Sequence, residues 1–380
     1  MTRLWIALFV AVVMALLLPC VTDAQEAITG NWQLQPQRDS EKVQLRLEYG
    51  AWGHHSDWGS TRSLSEFRDL NPAVFSSQAA DVRFHLVRDA GTIAFEGDFR
   101  DGKGSGTFRF TPNPEFVAEM KTMGYPALDA QTLFSMAMCD VSRQFVREMQ
   151  EVGYKGVSAD DLIAMRIHGV SPEFVKDLRS LGYTGLSVDN LVSFRIHGVS
   201  PEYVREWNGL GFRNLSADDL VAMRIHGVSP DFLKEMRSLG AENLSVDDLV
   251  SMRIHGVSAD FAKEMQSLGV TRVNCDNLVS MRIHGVSPEF VKEMRALGLS
   301  ELNTDNLVSM RIHGVSPAFV TEMKSVGYDR LTVDELVSMR IHGVNAAYVK
   351  EIAARGYKNL SADELIEMKI TGRSRQRGTI

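Results

Sequence analysis

The chain has 380 residues and a formal net charge of −7 at pH 7, with 44% hydrophobic and 23% charged residues. These proportions are typical of an ordinary globular protein. Because a mildly acidic chain carries no electrostatic footprint for nucleic acid, we expect no nucleic-acid partner.

A leader is predicted at residues 1–24. Its apolar run, from Leu4 to Leu18, follows Arg3 and precedes Thr22-Asp23-Ala24, which predicts a secretory signal peptide cut after Ala24. The alternative is a retained membrane anchor, but the run is shorter than the ~20 residues that a span needs. No second apolar stretch follows. We therefore expect a periplasmic or secreted protein without a stable membrane span after signal cleavage.

Residues 25–111 are predicted to form a small antiparallel β domain of five or six strands. Turn-forming residues occur at Asp89-Ala90-Gly91 and at Asp101-Gly102. Only residues 111–113 precede Pro114, where the next region begins, so we expect no flexible linker and a domain that covers the N-terminal end of that region. Apolar and polar residues alternate in four segments: Val43–Leu47, Val82–Leu86, Ile93–Phe99 and Phe108–Phe110.

A repeat of 29 residues organises the rest of the chain. With looser copies at both ends, residues 112–372 hold nine repeats, and residues 373–380 form a basic tail that we expect to be disordered. A period of this length indicates an α-solenoid, in which no single unit buries its apolar face alone. The string R-I-H-G marks each complete copy, and its arginine stands at Arg166, Arg195, Arg224, Arg253, Arg282, Arg311 and Arg340.

Each repeat is predicted to form two short helices, here called helix A and helix B. In the third repeat Ser171 is a favourable N-cap for helix A, Pro172 suits the first helical position, and Gly182 suits a left-handed stop. Ser187 caps helix B, and His197-Gly198 ends it, where a basic side chain complements the helix dipole. Each helix should be about ten residues long, too short for stability alone, so packing between repeats must hold it.

Three columns of residues support these boundaries. The N-cap column of helix B contains only preferred capping residues: Asp129, Ser158, Ser187, Ser216, Ser245, Asn274, Asn303, Thr332 and Ser361. Helix A carries an aromatic residue at one position, as at Phe174, and helix B carries a leucine, as at Leu191. Helix B (Leu191, Val192, Phe194, Ile196) is apolar around most of its circumference, so we expect it to be the buried layer and helix A the outer one.

The sequence predicts no catalytic residue, no cofactor and no metal site. The repeated histidines should lie ~8–10 Å apart, too far to share one ion, so we interpret them as helix-ending residues, with pH sensing as an open alternative. The repeated arginines are interpreted as structural ion-pair partners of an acidic column at Glu235 and its equivalents. Cys139 and Cys275 lie about five repeats apart, beyond disulfide range, and are expected to be free.

One local cluster has ligand-type residues. His54, His55 and Asp57 lie between Trp52 and Trp58 in a predicted loop of the β domain. They are a candidate metal or catalytic site, although no familiar hydrolase or nucleotide-binding motif accompanies them. Trp32 could line a ligand cleft beside them, or it could belong to the β core.

The β domain and the repeats together resemble a known type of exported region. The strings I-T-G-N-W, V-R-F-H-L-V-R-D-A-G-T-I-A-F-E-G-D-F-R-D-G-K-G-S-G-T-F-R-F-T-P-N-P and R-I-H-G-V-S-P are similar to the C-terminal region of some bacterial membrane metallopeptidases of the antirepressor type, used in β-lactam sensing. That family's H-E-x-x-H and membrane helices have no counterpart here, so no peptidase residue is carried over. The resemblance implies a bacterial envelope protein with a sensing or partner-binding part.

Two functions are compatible with these patterns. The first is a non-catalytic scaffold that binds a protein partner in the cell envelope. Its connector between helix A and helix B varies most between copies, which is typical both of a specificity-bearing loop edge and of an unconstrained solvent edge. In the first case we expect Arg213, Arg272 and Arg330 to contact the partner. The alternative is a ligand-binding or hydrolytic β domain carried on a helical spacer.

Overall fold

The computed structural model describes residues 27–37, 41–50, 56–270 and 274–372. The predicted leader at 1–24 and the tail at 373–380 lie outside these residues. The chain forms two compact units, Met1–Ile196 and His197–Ile380. The predicted α+β class is confirmed: an antiparallel sheet is followed by paired helices in a repeat arrangement.

The sheet belongs to the first unit and contains seven strands among the described residues. The strands are β1 (Ile28–Pro36), β2 (Lys42–Tyr49), β3 (Ser56–Ser63), β4 (Phe67–Arg68), β5 (Ala79–Arg88), β6 (Gly91–Arg100) and β7 (Lys103–Pro112). Their order is β3-β2-β1-β7-β6-β5-β4, and every neighbouring pair is antiparallel. Five or six strands were predicted, and the four alternating segments of the sequence lie in β2, β5, β6 and β7.

Alternation along the strands builds one aromatic core. Trp32 is 1% exposed, and its ring meets the edges of Phe84 and Phe95 at centroid distances of 5.1 and 6.1 Å. Trp32 is therefore a core residue and lines no cleft. Asp101 and Gly102 form the predicted two-residue hairpin turn, with φ values of 48° and 77° that match the type I′ geometry.

The repeat region contributes eighteen described α-helices, in nine A and B pairs. They are α1 (Pro114–Thr122), α2 (Ala130–Met138), α3 (Arg143–Glu151), α4 (Ala159–Ile167), α5 (Pro172–Ser180), α6 (Val188–His197), α7 (Pro201–Gly209), α8 (Ala217–Ile225), α9 (Pro230–Ser238), α10 (Val246–Ile254), α11 (Ala259–Ser267), α12 (Cys275–Ile283), α13 (Pro288–Ala296), α14 (Thr304–Ile312), α15 (Pro317–Ser325), α16 (Val333–Ile341), α17 (Ala346–Ala354) and α18 (Ala362–Thr371).

The predicted helix ends are confirmed. Ser171 accepts a hydrogen bond from the Phe174 backbone N–H at 3.2 Å, Pro172 begins the helix, and Gly182 has a φ of 98°. Ser245 caps helix B in the same way and forms a reciprocal capping box with Asp248. Most helices are nine residues long, close to the predicted ten. The sequence therefore determines the helix boundaries locally.

Packing runs from repeat to repeat within each unit. In the second unit helix B contacts the next helix B from α8 to α18, and helix A contacts the next helix A from α9 to α17. In the first unit α2 contacts both α4 and the sheet. The Phe134 ring stacks on Phe108 at 5.8 Å and meets Tyr49 at 4.9 Å. The sheet and the first repeat therefore share one core.

One prediction about helix B is wrong. Its last isoleucine, as at Ile196, was expected to belong to an apolar circumference, yet it is 56% exposed. The reason is angular: in α10, Leu249 and Met252 face the core, and Ile254 lies five positions after Leu249, which turns it about 140° away. In this pair of helices, the helix B (α10) nevertheless has three exposed residues, whereas the preceding helix A (α9) has five.

Candidate partner-binding surfaces

The last turn of helix B forms an exposed surface in every repeat from the second onward. In the second unit, the Arg, Ile and His side chains of the repeated R-I-H-G string are exposed at the end of each helix B that carries it. We call these side chains, with the glycine that follows them, the Arg–Ile–His edge. Eight of the nine exposed large hydrophobic side chains among the described residues are isoleucines at this position of helix B, two in the first unit and six in the second. In the second unit these are Ile225, Ile254, Ile283, Ile312 and Ile341, each 55% exposed, and Ile370, 61% exposed.

The arginine of this edge is held by the preceding helix A. The Arg224 guanidinium carbon lies 4.7 Å from the Tyr203 ring centroid, and its Nε–H points to the His197 carbonyl oxygen at 3.4 Å. Every other complete copy has the same ring contact, at 4.9–5.2 Å. Cation–π contact of this kind fixes the guanidinium but leaves part of it at the surface.

The repeated glycine makes room for that arginine. Gly198 has a φ of 71°, and a Cβ atom there would lie 2.8 Å from a guanidinium nitrogen of Arg224. The R-I-H-G string is therefore a contact between repeats as well as a helix end.

The predicted pairing of this arginine with the acidic column is wrong, since the described contacts join it to an aromatic ring. One member of that column, Glu264, instead pairs with Lys292 at 3.2 Å.

The repeated histidine caps helix B as predicted. In α8 the His226 backbone N–H donates to the Ala222 carbonyl at 3.0 Å, and Gly227 follows with a φ of 67°. Across the described residues no group of three His, Cys, Asp or Glu side chains is arranged to hold a metal ion.

The opposite end of helix B faces the connectors. In the second unit a groove of about 270 Å³ lies between two successive connectors, over Val320 and Leu336, and Tyr328, Glu301 and Arg330 line its walls. A second groove of about 390 Å³ lies over Val349 and Leu365, each one repeat further along. The grooves therefore recur at the repeat spacing.

Two of the three arginines predicted to bind a partner are described. Arg213 and Arg330 are exposed on connectors of the second unit, while Arg272 lies outside the described residues. Arg330 lines the first groove. Exposure leaves these side chains available to a partner, and the prediction that they bind one stays a prediction.

Acidic residues surround these connectors. The second residue of helix B is an exposed aspartate in five successive repeats of the second unit, at Asp218, Asp247, Asp276, Asp305 and Asp334. Carboxylates are favoured there by the positive end of the helix dipole. Because Arg224 lies six positions after Asp218 in α8, the acidic and arginine positions lie about 9 Å apart along the helix axis. The second unit therefore carries acid on one edge and arginine on the other.

The candidate cluster in the β domain is only partly described. His54 and His55 lie outside the described residues, and Asp57 lies on β3 rather than in a loop. Its carboxylate pairs with Arg46 at 2.7 Å on the exposed face of the sheet. A polar groove of about 520 Å³ beside it is lined by Gln33, Gln44 and Lys103. Asp57 thus has a structural partner in Arg46.

The two described cysteines are free, as predicted. Burial raises the pKa of the Cys139 thiol to about 11. Burial, followed by the nearby Asp248, raises the pKa of the Cys275 thiol to about 12. Since the thiolate is the nucleophilic form, neither residue is an activated nucleophile at neutral pH.

No protein-family model matches this chain, and no curated protein matches it. Among the described helices none is long and apolar enough to cross a membrane. The exposed isoleucine column is the feature that the sequence analysis did not predict. The sequence does indicate it, because a repeated isoleucine about 140° from the core leucine is not explained by stacking.

Proposed function

We propose that this chain is a non-catalytic scaffold that binds a protein partner through its repeats. One observation carries the proposal: an isoleucine more than half exposed recurs at the same place in eight successive repeats, although stacking does not require it. Large exposed apolar side chains in a contiguous arrangement mark interaction surfaces. The guanidinium groups beside them are already fixed on aromatic rings, so little side-chain entropy is lost when they bind.

We place this scaffold in the bacterial periplasm or outside the cell. The support is the predicted signal peptide at residues 1–24 and the resemblance to the exported region of antirepressor-type metallopeptidases. The partner is accordingly a protein of the cell envelope. In this proposal the chain contributes recognition, and no cofactor or catalytic group is assigned to it.

The connector arginines are a second part of the same proposal. Arg213, Arg272 and Arg330 lie where the repeats differ most, so they are suited to partner specificity, whereas the Arg–Ile–His edge is nearly identical in each repeat. The alternative, ligand binding at the β domain, is supported by the polar groove beside Asp57.

The test is affinity capture from envelope extract with the full chain, followed by mass spectrometry. We expect Ile254→Ser/Ile283→Ser/Ile312→Ser to lose the captured proteins, because three exposed apolar contacts are removed. Lys263→Gln/Lys350→Gln, on the exposed face of helix A, is the matched surface control and should retain them.

Two further variants test which surface of the chain binds the captured proteins. Reversing charge at Arg213, Arg272 and Arg330 together should weaken capture if the connectors contribute to specificity. Asp57→Lys with Lys103→Glu alters only the groove of the sheet. If this last variant alone abolishes capture, binding belongs to the β domain and the proposal is wrong.

A further inference from the structure

The two edges of the second unit have complementary shapes. On one edge the isoleucine column forms a row of apolar knobs, one per repeat. On the other edge the connectors form grooves, two of which have volumes of about 270 and 390 Å³ and lie over buried Val320, Leu336 and their equivalents one repeat further along. Each groove is larger than one aliphatic side chain. Knobs and grooves share the same spacing, because both recur every 29 residues.

The charges of these edges are also complementary. Arg253, Arg282 and Arg311 lie beside the knobs. Around the grooves lie the exposed aspartates at the second position of helix B, together with Glu301 and Asp329 on the connectors. Arg330, Lys324 and Lys358 are like charges that line the grooves. Along the whole edge, the exposed acidic side chains outnumber the described basic ones.

A partner that engages several repeats at once must match their spacing. Stacked helices lie ~8–10 Å apart, and any mismatch accumulates with each repeat. A second copy of this chain meets the requirement by construction, since its grooves and aspartates follow the same period as the knobs and arginines. Its connector edge offers apolar grooves for the isoleucines and acidic groups for the arginines of the Arg–Ile–His edge.

We infer that the partner includes a second copy of this chain, whose connector edge packs side by side against the Arg–Ile–His edge. The inference rests on the proposed scaffold function and names its partner. Isoleucine side chains enter the grooves between connectors, and arginines face the aspartates of the neighbouring copy. Because the two surfaces differ, the contact is heterologous and leaves one free edge on each molecule, so assembly continues beyond a dimer.

Sedimentation velocity of the full chain over a range of concentrations tests this arrangement. We expect mass to rise with concentration past the dimer, and added salt to weaken the association because exposed charges are screened. Ile254→Ser/Ile283→Ser/Ile312→Ser (the knob variant) and Glu242→Arg/Glu301→Arg/Asp329→Arg (the groove variant) should each weaken it about tenfold or more. Circular dichroism verifies that both variants keep their helices.

Mixing the two variants gives the decisive result. The knob variant keeps its grooves and the groove variant keeps its knobs, so an equimolar mixture should form a one-to-one dimer that grows no further. A symmetric contact between like surfaces would not be restored by mixing. Arg330→Glu should tighten self-association, because it removes a like charge opposite the incoming arginine.

Three outcomes overturn the inference: a wild-type chain that stays monomeric at every concentration, an association that neither triple variant weakens, or a mixture that forms no dimer. The lysine variant at residues 263 and 350 controls for general surface effects. If the chain stays monomeric while envelope capture still depends on the isoleucines, only this inference fails. If capture is also independent of them, the scaffold proposal fails as well.

Discussion

At the scale of single residues, the repeat contains side chains with separable tasks. Leu249 and Met252 are fully buried between neighbouring repeats, whereas Ile254 in the same helix is 55% exposed. Arg253 joins its repeat to the one before through the Phe232 ring at 5.2 Å. The same short string therefore contains both the contact between repeats and the surface that we propose for binding.

The contact between Arg224 and the Tyr203 ring should contribute measurably to the stability of the fold. We expect Arg224→Ala to lower the free energy of unfolding by about 1 kcal/mol, because it removes the contact with the Tyr203 ring and the bond to the His197 carbonyl. Arg224→Lys should recover part of the loss. Arg213→Ala, on an exposed connector, should change it by less than about 0.5 kcal/mol. Urea denaturation followed by circular dichroism checks all three, and equal midpoints for Arg224→Ala and wild type would contradict the contact.

Residues differ in how far the sequence predicts their roles. N-caps such as Ser171 act on an amide three residues away, so local sequence is sufficient to identify them. Arg224 and Tyr203 are 21 positions apart and meet only because two repeats stack. The sequence shows both columns but does not pair them, and opposite charge alone favours the acidic column as the partner of the arginines.

At the scale of elements, the joint between the sheet and the first repeats depends on ion pairs as well as on apolar packing. Asp89, in the turn between β5 and β6, accepts a bond from the backbone N–H of Arg143 at 3.0 Å. The Arg143 guanidinium donates to the same carboxylate at 3.2 Å and pairs with Glu119 at 3.3 Å. The first residue of α3 is thereby tied to both a strand turn and α1.

This joint should weaken in acid. The hydrogen bond from the Arg143 side chain lowers the pKa of Asp89 below its ordinary value of 3.8. Because the pKa of Asp89 is lower in the folded than in the unfolded state, its ionised carboxylate stabilises the folded protein at every pH above the unfolded-state pKa. This contribution is lost as the pH falls below about 4 and through the folded-state pKa. We expect Asp89→Asn to lower the urea midpoint at pH 7 and to approach wild type at pH 3.

A matched substitution isolates that effect. Asp81→Asn changes an exposed carboxylate on β5 and should leave both midpoints unchanged. A constant difference between Asp89→Asn and wild type across this pH range would show that the carboxylate charge does not act through Arg143.

The sequence anticipated these elements better than their joint. Alternation located four strands, β2, β5, β6 and β7, and the pair Asp101-Gly102 located a hairpin turn. β4 has only two residues, too few to show a period. The packing of Phe134 against Phe108 was also beyond reach, because helix periodicity indicates an apolar face without indicating what covers it.

At the scale of the whole molecule, the helical part of the second unit is stabilised by contacts between neighbouring repeats. Its helices contact the same helix of the next repeat, and nine residues are too few for a stable isolated helix. The stability of such an array is approximately a sum of repeat terms and interface terms. The number of repeats is therefore adjustable, provided that whole repeats are added or removed.

Deleting Arg224 to Met252 tests this property, because it removes 29 residues and joins Met223 to Arg253. Arg253 then replaces Arg224 opposite Tyr203, so the contact between repeats is restored. We expect a shorter protein with cooperative unfolding and proportionally less helical signal. Leu249→Asp should be more harmful, since it buries a carboxylate at a site that is fully buried, at a cost of several kcal/mol.

Removal of half a repeat, residues 224–237, is the matched control for that deletion. It removes nearly all of α9, so α10, a helix B, follows the shortened α8 where a helix A must pack. The leucine and aromatic columns then lose their register, and the second unit should lose cooperativity. Circular dichroism and urea denaturation measure all three variants. The stacked-repeat arrangement is contradicted if the whole-repeat deletion loses its helical signal while Leu249→Asp unfolds like wild type. Only an array built from interchangeable interfaces tolerates the loss of a complete repeat better than the loss of one buried leucine.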